Sequence, residues 1–270
     1  MYIADYHIHS HFSGDCNTPM EDIVKHAVNL ELKEIAFTDH VDFDYPSPDP
    51  NFEIDFDDYL EKFNEIKDKY NHKINIILGI EVGLQPHISD KIKKLVNKYP
   101  FAFVIGSIHA ADRMDLYNGD FFRGKSQKNA YLRYFENVLE NIKIHDEFDV
   151  LGHIDYIIRY GNYETKKLSY NDYTDIVDTI LKSLITKGKG LELNTSGYRY
   201  KLDQTHPQFS ILKRYKELGG SIITIGSDSH IVEDICSHFK KAYNLLERAG
   251  FNKITLFRNR TPIFVDFINI

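Results

Sequence analysis

Residues 74–81, Ile-Asn-Ile-Ile-Leu-Gly-Ile-Glu, form an apolar run that ends in a carboxylate. The run does not alternate between apolar and polar residues. That pattern marks a strand buried on both faces, the condition of a parallel sheet covered by crossover helices. Glu81 is then the informative residue, because an unpaired carboxylate at the end of such a strand is expensive to bury. Two cations bridged by it would remove that cost.

Working outward, similar runs lie near 2–8, 34–39, 101–108, 149–154, 190–195 and 221–227. Amphipathic stretches near 19–30, 57–70, 89–98, 127–144, 170–187, 208–218 and 231–249 separate or follow them. Seven strand–helix units predict an α/β barrel occupying 1–270 as one domain, a length that suits this fold. Thr18-Pro19-Met20-Glu21 reads as a helix start, with Thr18 as cap and proline at the first helical position. Gly188, Gly190 and Gly219-Gly220 read as breaks before the next strand. The closing stretch, ITLFRNRTPIFVDF, reads as an extended segment around a turn at Arg258–Thr261 that closes the sheet.

Nearly every predicted strand ends in a residue able to bind a metal. Strand one leads to His7, His9 and Asp15, and strand two to Asp39 and His40. Strand three ends at Glu81, strand four at His109, strand five at His153 and Asp155, and strand seven at Asp228 and His230. In a barrel the carboxyl ends of the strands converge on one mouth, so residues remote in sequence meet there. His7 and His9, two apart on a strand, face the same side. Imidazoles mixed with carboxylates favour zinc, iron or manganese over magnesium or calcium. His11 extends the pattern to HxHxH as a weaker ligand candidate, whereas His26, His72, His87, His145 and His238 read as solvated residues.

The chain has 33 basic and 40 acidic residues, a net charge of −7. It offers no general attraction to a nucleic-acid backbone or an anionic membrane, so neither is expected as a partner. Cys16 and Cys236 are far apart, and no signal peptide or long apolar span is visible. A cytoplasmic protein, monomeric or homodimeric, is expected.

These motifs resemble the polymerase and histidinol phosphatase (PHP) family. The matching segments are His7-Ile8-His9, Thr38-Asp39-His40, Gly79-Ile80-Glu81, Ser107-Ile108-His109, Gly152-His153 and Ser227-Asp228-Ser229-His230. The resemblance implies a distorted seven-stranded (β/α) barrel with two to three divalent metal ions. It implies one metal on His7, His9, Glu81 and Asp228, and a second on Glu81, His109 and His153. A third would take His40, His230 and Asp15, a position where many relatives carry histidine. Segments 118–126, 153–159 and 192–197 resemble the stand-alone histidinol-phosphate phosphatases of the family, which implies L-histidinol phosphate as substrate.

The expected chemistry is in-line attack on phosphorus by metal-activated hydroxide, helped by Glu81 and Asp228. Arg159, whose planar fork matches two phosphate oxygens, is the expected phosphate ligand, with Arg123 and Arg199 as alternatives. Asp15 could protonate the leaving alkoxide. Asp42, Asp112, Asp155 and Asn194 are expected to line the pocket and receive the substrate amine. The competing readings are a phosphodiesterase or exonuclease on the same metals, and a silent regulatory module that keeps the fold.

Overall fold

A computed structural model of the protein describes residues 3–47 and 51–267. Its main sheet contains β1 (Ala4–Ile8), β2 (Glu34–Phe37), β3 (Asn75–Gly83), β4 (Phe103–Ser107), β5 (Val150–Leu151), β6 (Gly190–Asn194) and β7 (Ile223–Gly226). Spatial order follows sequence order and every pairing is parallel. Ile8 bridges Ser229 in parallel, His9 N donates to Ser229 O at 2.9 Å, and Asp228 N donates to His7 O at 2.8 Å. The first and last strands therefore meet, and the expected seven-stranded barrel is nearly closed.

The helices α1 (Met20–Asn29), α2 (Phe56–Tyr70), α3 (Ser89–Lys98), α4 (Gln127–Ile144), α5 (Thr174–Thr186), α6 (Phe209–Glu217) and α7 (Phe239–Ala249) follow the strands in turn. Helix α2 illustrates why. Asp55 caps it by accepting from the Asp57 and Asp58 amides, and Phe56, Tyr59, Phe63, Ile66 and Tyr70 fall on one buried stripe. Each such side chain contributes roughly 1.5–3 kcal/mol on burial, far more than local helix propensity. Gly188 and Gly219, with φ of 66° and 96°, turn the chain after α5 and α6 as expected.

Three local expectations are corrected. Thr18 does not cap α1: Pro19 holds the cap position, and the Thr18 hydroxyl donates instead to His230 O at 2.8 Å. Helix α7 does not begin at 231. Cys236 and His238 adopt φ of 56° and 63°, and the Cys236 amide is drawn to Asp5 Oδ2, so the helix starts only at Phe239. The last segment forms a two-stranded antiparallel hairpin of its own, β8 (Lys253–Arg258) and β9 (Thr261–Asp266), rather than extending the barrel sheet. Phe257 packs on Phe103 with ring centroids 5.0 Å apart, Arg258 pairs with Glu34, and Arg260 pairs with Asp149. Those partners stand at the amino-terminal ends of β4, β2 and β5, so the hairpin caps the end opposite the histidines. Among the described residues no helix is long and apolar enough to cross a membrane.

Candidate metal centre

Glu81 lies within β3, fully buried, and its two carboxylate oxygens face different histidines. Oε2 is 2.9 Å from His40 Nδ1, 3.2 Å from His7 Nε2 and 3.6 Å from His9 Nε2. Oε1 is 3.0 Å from His153 Nε2 and 3.3 Å from His109 Nε2, and it accepts from Ser107 Oγ at 2.6 Å. Asp228 Oδ1 stands 3.5 Å from His9 Nε2, 3.9 Å from His7 Nε2 and 3.8 Å from His230 Nδ1. Asp15 Oδ2 lies 3.3 Å from His230 Nε2 and 3.8 Å from His40 Nε2. All nine residues expected as ligands thus converge at the carboxyl ends of the strands. Four triads among the described residues are compact enough for an ion: His7/His9/Glu81, Glu81/His109/His153, His9/His40/His230, and His40/Asp42/His109.

The donor chemistry fits cations. His7 Nε2, His9 Nε2, His40 Nδ1 and Glu81 Oε2 are buried and lack any hydrogen-bond partner, although they face one another. Each such orphan costs about 1–3 kcal/mol unless something satisfies it, and a divalent ion among them satisfies several at once. The outward-facing nitrogens are held as they are in metal sites generally. His7 Nδ1 meets Glu192 Oε1 at 2.5 Å, His109 Nδ1 meets Asp42 Oδ1 at 2.9 Å, and His9 Nδ1 meets Ser13 Oγ at 3.0 Å. Backbone sites without side chains make room for these contacts. A Cβ on Gly226 would sit 2.3 Å from His7 Cβ and 2.4 Å from Glu192 Oε1, and one on Gly83 would strike Asp42.

Electrostatics point the same way. Burial alone would push the Glu81 and Asp228 carboxyls up, yet the surrounding histidines (with Arg159 for Asp228) hold both well below the usual range. Burial would likewise lower His7 and His109, but Glu192, Glu81 and Asp228 around the first, and Asp42 and Glu81 around the second, hold them well above the ordinary imidazole value. His40, beside Glu81 and Asp15, is raised to about 9 against the pull of burial. His9 goes down, driven by burial and by His230 and His40.

Arg159 joins the cluster. Its Nη2 donates to Ser196 Oγ at 2.6 Å and lies 3.4 Å from Asp228 Oδ2. The guanidinium is sandwiched between the Tyr200 and Tyr156 rings, 3.9 and 4.6 Å from their centroids, and Nε is buried without a partner.

The other substrate candidates already have protein partners. Arg123 is 82% exposed and paired with Asp120. Arg199 spends Nη1 on Ser227 O, Nη2 on Asp228 O and Nε on Asp234, clamping the loop that carries Asp228. Asp42 is buried behind His109 and joins a possible ion group itself. Asn194 is buried between Glu192 and Asp228, accepting from the Ser196 amide. Asp155 is fully buried against His206 and the Gln208 amide, and Asp112 holds Arg133 and Asn137. Each of these side chains is engaged by a protein partner. His11 is exposed.

Sequence reasoning overlooked Glu192 as a partner of the site, together with Ser13, Ser107 and the contact of Asp42 with His109. For Glu192 a signal existed: it is a carboxylate inside an apolar strand, GLELN, just as Glu81 is inside INIILGIE. The serines carry no comparable mark.

The PHP domain model matches residues 5–196. The histidinol-phosphatase of Lactococcus lactis is 34% identical over 256 residues, covering 94% of this chain and 93% of that protein. A probable histidinol-phosphatase of Clostridium acetobutylicum is 32% identical over 252 residues, covering 93% and 96%. The crystal structure of the L. lactis histidinol phosphate phosphatase, complexed with zinc, L-histidinol and phosphate, superimposes with a TM-score of 0.91 at 31% identity, covering 97% of this chain and 99% of that one. With its strand-end histidines, its divided glutamate and this likeness along nearly its whole length, the chain belongs to the PHP domain family and, within it, to the histidinol-phosphatase group.

Proposed function

We propose that this protein is a metal-dependent phosphoric monoester hydrolase that converts L-histidinol phosphate to L-histidinol and phosphate. The observation that carries the reading is Glu81, one oxygen turned to His7, His9 and His40 and the other to His109 and His153, with Arg159 beside Asp228. The L. lactis relative, crystallised with zinc, L-histidinol and phosphate, supports the choice of substrate and of zinc.

His7, His9, Glu81 and Asp228 would hold a first ion, and Glu81, His109 and His153 a second. Where a third is held, His40, His230 and Asp15 are its ligands. Divalent cations held there would supply Lewis acidity, lowering the pKa of water to near neutral and offsetting phosphate charge. Arg159 binds the substrate phosphate, its fork pre-set by the two tyrosine rings and Ser196 so that little order must be gained on binding. The Asp15 carboxyl is held well below the usual range: burial raises it, but His40 and His230 outweigh burial. An ionised Asp15 suits a ligand better than the proton donor expected from sequence. Tyr156 stacks on His153 at 4.6 Å and contacts Tyr160 at 5.0 Å, which in turn contacts Tyr117 at 5.9 Å. The outermost of these rings, Tyr117, is exposed, and its face suits a cationic amine or an imidazole better than a sugar.

The test is competitive. On zinc-loaded protein, kcat/KM for L-histidinol phosphate should exceed that for sugar phosphates and nucleotides by at least about tenfold, the worth of one well-made polar contact. A short single-stranded oligonucleotide or a nucleoside bisphosphate hydrolysed faster would sink the substrate assignment.

A further inference from the structure

We infer that Ser13 is a positioning residue that locks His9 as the Nδ1–H tautomer, leaving the bare Nε2 lone pair aimed between Glu81 and Asp228 for a cation. The inference rests on the metal-centre reading above and adds the residue that sets the state of one ligand.

The argument is an inventory of one hydroxyl. Ser13 is 1% exposed, and its Oγ has three neighbours: Asp39 Oδ1 at 2.9 Å, the His40 amide nitrogen at 3.0 Å and His9 Nδ1 at 3.0 Å. A serine hydroxyl offers one proton and two lone pairs. Asp39 Oδ1 already accepts from the Ser10 amide at 2.6 Å, so it is an acceptor and takes the hydroxyl proton. The His40 amide can only donate, and it occupies one lone pair. What remains is the second lone pair, and His9 Nδ1 fills it by donating. The proton of a neutral His9 therefore sits on Nδ1, and Nε2 is bare.

That consequence reaches the centre. His9 Nε2 is buried, has no hydrogen-bond partner, and faces Glu81 Oε2 at 3.6 Å and Asp228 Oδ1 at 3.5 Å. A lone pair opposed to two carboxylate oxygens is repulsive unless a cation lies among them. His7 and His109 turn Nδ1 directly to carboxylates, Glu192 and Asp42. For His9 the carboxylate, Asp39, acts one hydroxyl removed. Ser13 also ties the loop after β1 to the His40 amide, so two candidate ligands share one anchor.

The test begins with the unaltered protein. Long-range proton–nitrogen spectra of the zinc-free chain, with His9 assigned from a His9→Gln sample, should show His9 carrying its proton on Nδ1. Ser13→Ala should let both tautomers appear and weaken zinc binding about 10–100-fold, the usual effect of losing an outer partner of a ligating histidine. Ser13→Thr, which keeps the hydroxyl, should restore the tautomer and most of the affinity. A predominantly Nε2–H His9 in the zinc-free wild type overturns the inference, and so does Ser13→Ala binding zinc as tightly as wild type. If the wild type binds no divalent ion at all, the metal-centre reading fails, while the tautomer measurement still decides the role of Ser13.

Discussion

Replacing Arg159 with alanine separates phosphate binding from metal binding. Arg159 holds no place in the ion groups, but its Nη2 is 3.4 Å from Asp228 Oδ2 and 2.6 Å from Ser196 Oγ. Its remaining buried donor, Nε, has no protein partner. The alanine variant forfeits a preorganised donor for the charge that grows on the phosphate oxygens, worth about 2.7–4 kcal/mol, or roughly a hundred- to a thousandfold in kcat. When the guanidinium is gone the Ser196 hydroxyl can still donate to Asn194 Oδ1 or Asp228 Oδ2, and Asn194 Nδ2 still faces Asp228, so the network beneath Asp228 survives. Zinc content should therefore stay at the wild-type level. Arg159→Lys should recover only part of the rate, because an ammonium cannot fill the flat slot between Tyr156 and Tyr200 while also offering a fork. The assay is steady-state release of phosphate, with zinc measured on the same samples. An alanine variant within about threefold of wild type, against the hundredfold expected of a lost charge-stabilising donor, refutes the role. So does one that loses its metal, which would make Arg159 a support of the centre instead.

Exhaustive chelation should abolish hydrolysis and lower Tm, with zinc restoring both; at a thousandfold excess over Kd the ion contributes about 4 kcal/mol of stability, and a melting curve indifferent to zinc would contradict the site. Zinc binding at pH 7 should release protons, because His7 and His109 are held well above the ordinary value and His40 at about 9, so the zinc-free protein carries protons there that the ion must expel. Affinity should accordingly fall as pH drops, and calorimetry in buffers of different ionisation enthalpy that finds no proton release would count against this charge pattern. Gly226→Ala places a methyl 2.3 Å from His7 Cβ; it should cost about 1–3 kcal/mol of stability, as overpacking usually does, and weaken zinc binding, and a fully stable, zinc-replete variant would show the close approach to be unimportant.

The barrel and the polar residues gathered at its mouth were legible in sequence because both depend on local pattern. Apolar runs mark strands, and a polar residue at the end of each run marks the mouth. Partnerships were not legible. His7 and Glu192 are 185 residues apart, and nothing in either neighbourhood announces the other. Arg123 and Arg199 stood as alternatives to Arg159, yet one is paired with Asp120 and the other with two carbonyls and Asp234. The start of α7 was misjudged for a related reason. Residues 231–238 have the composition of a helix, but Asp5 claims the Cys236 amide, and that tertiary bond outweighs local propensity.

The seam between β1 and β7 gives the centre a place in time as well as in space. Ser227 and His7 are 220 residues apart, yet they meet across the closing edge of the barrel. Contacts of such separation demand that most of the loop entropy be paid beforehand, so they belong to the late steps of folding. His7 and His9 stand on one side of this edge, Asp228 and His230 on the other. A chain folded everywhere except at the seam would hold His7, His9, His40, Glu81, His109 and His153 together and lack Asp228 and His230. Full metal capture would then report that the barrel has shut, and the first opening of the native protein would show as loss of an ion before any loss of helix.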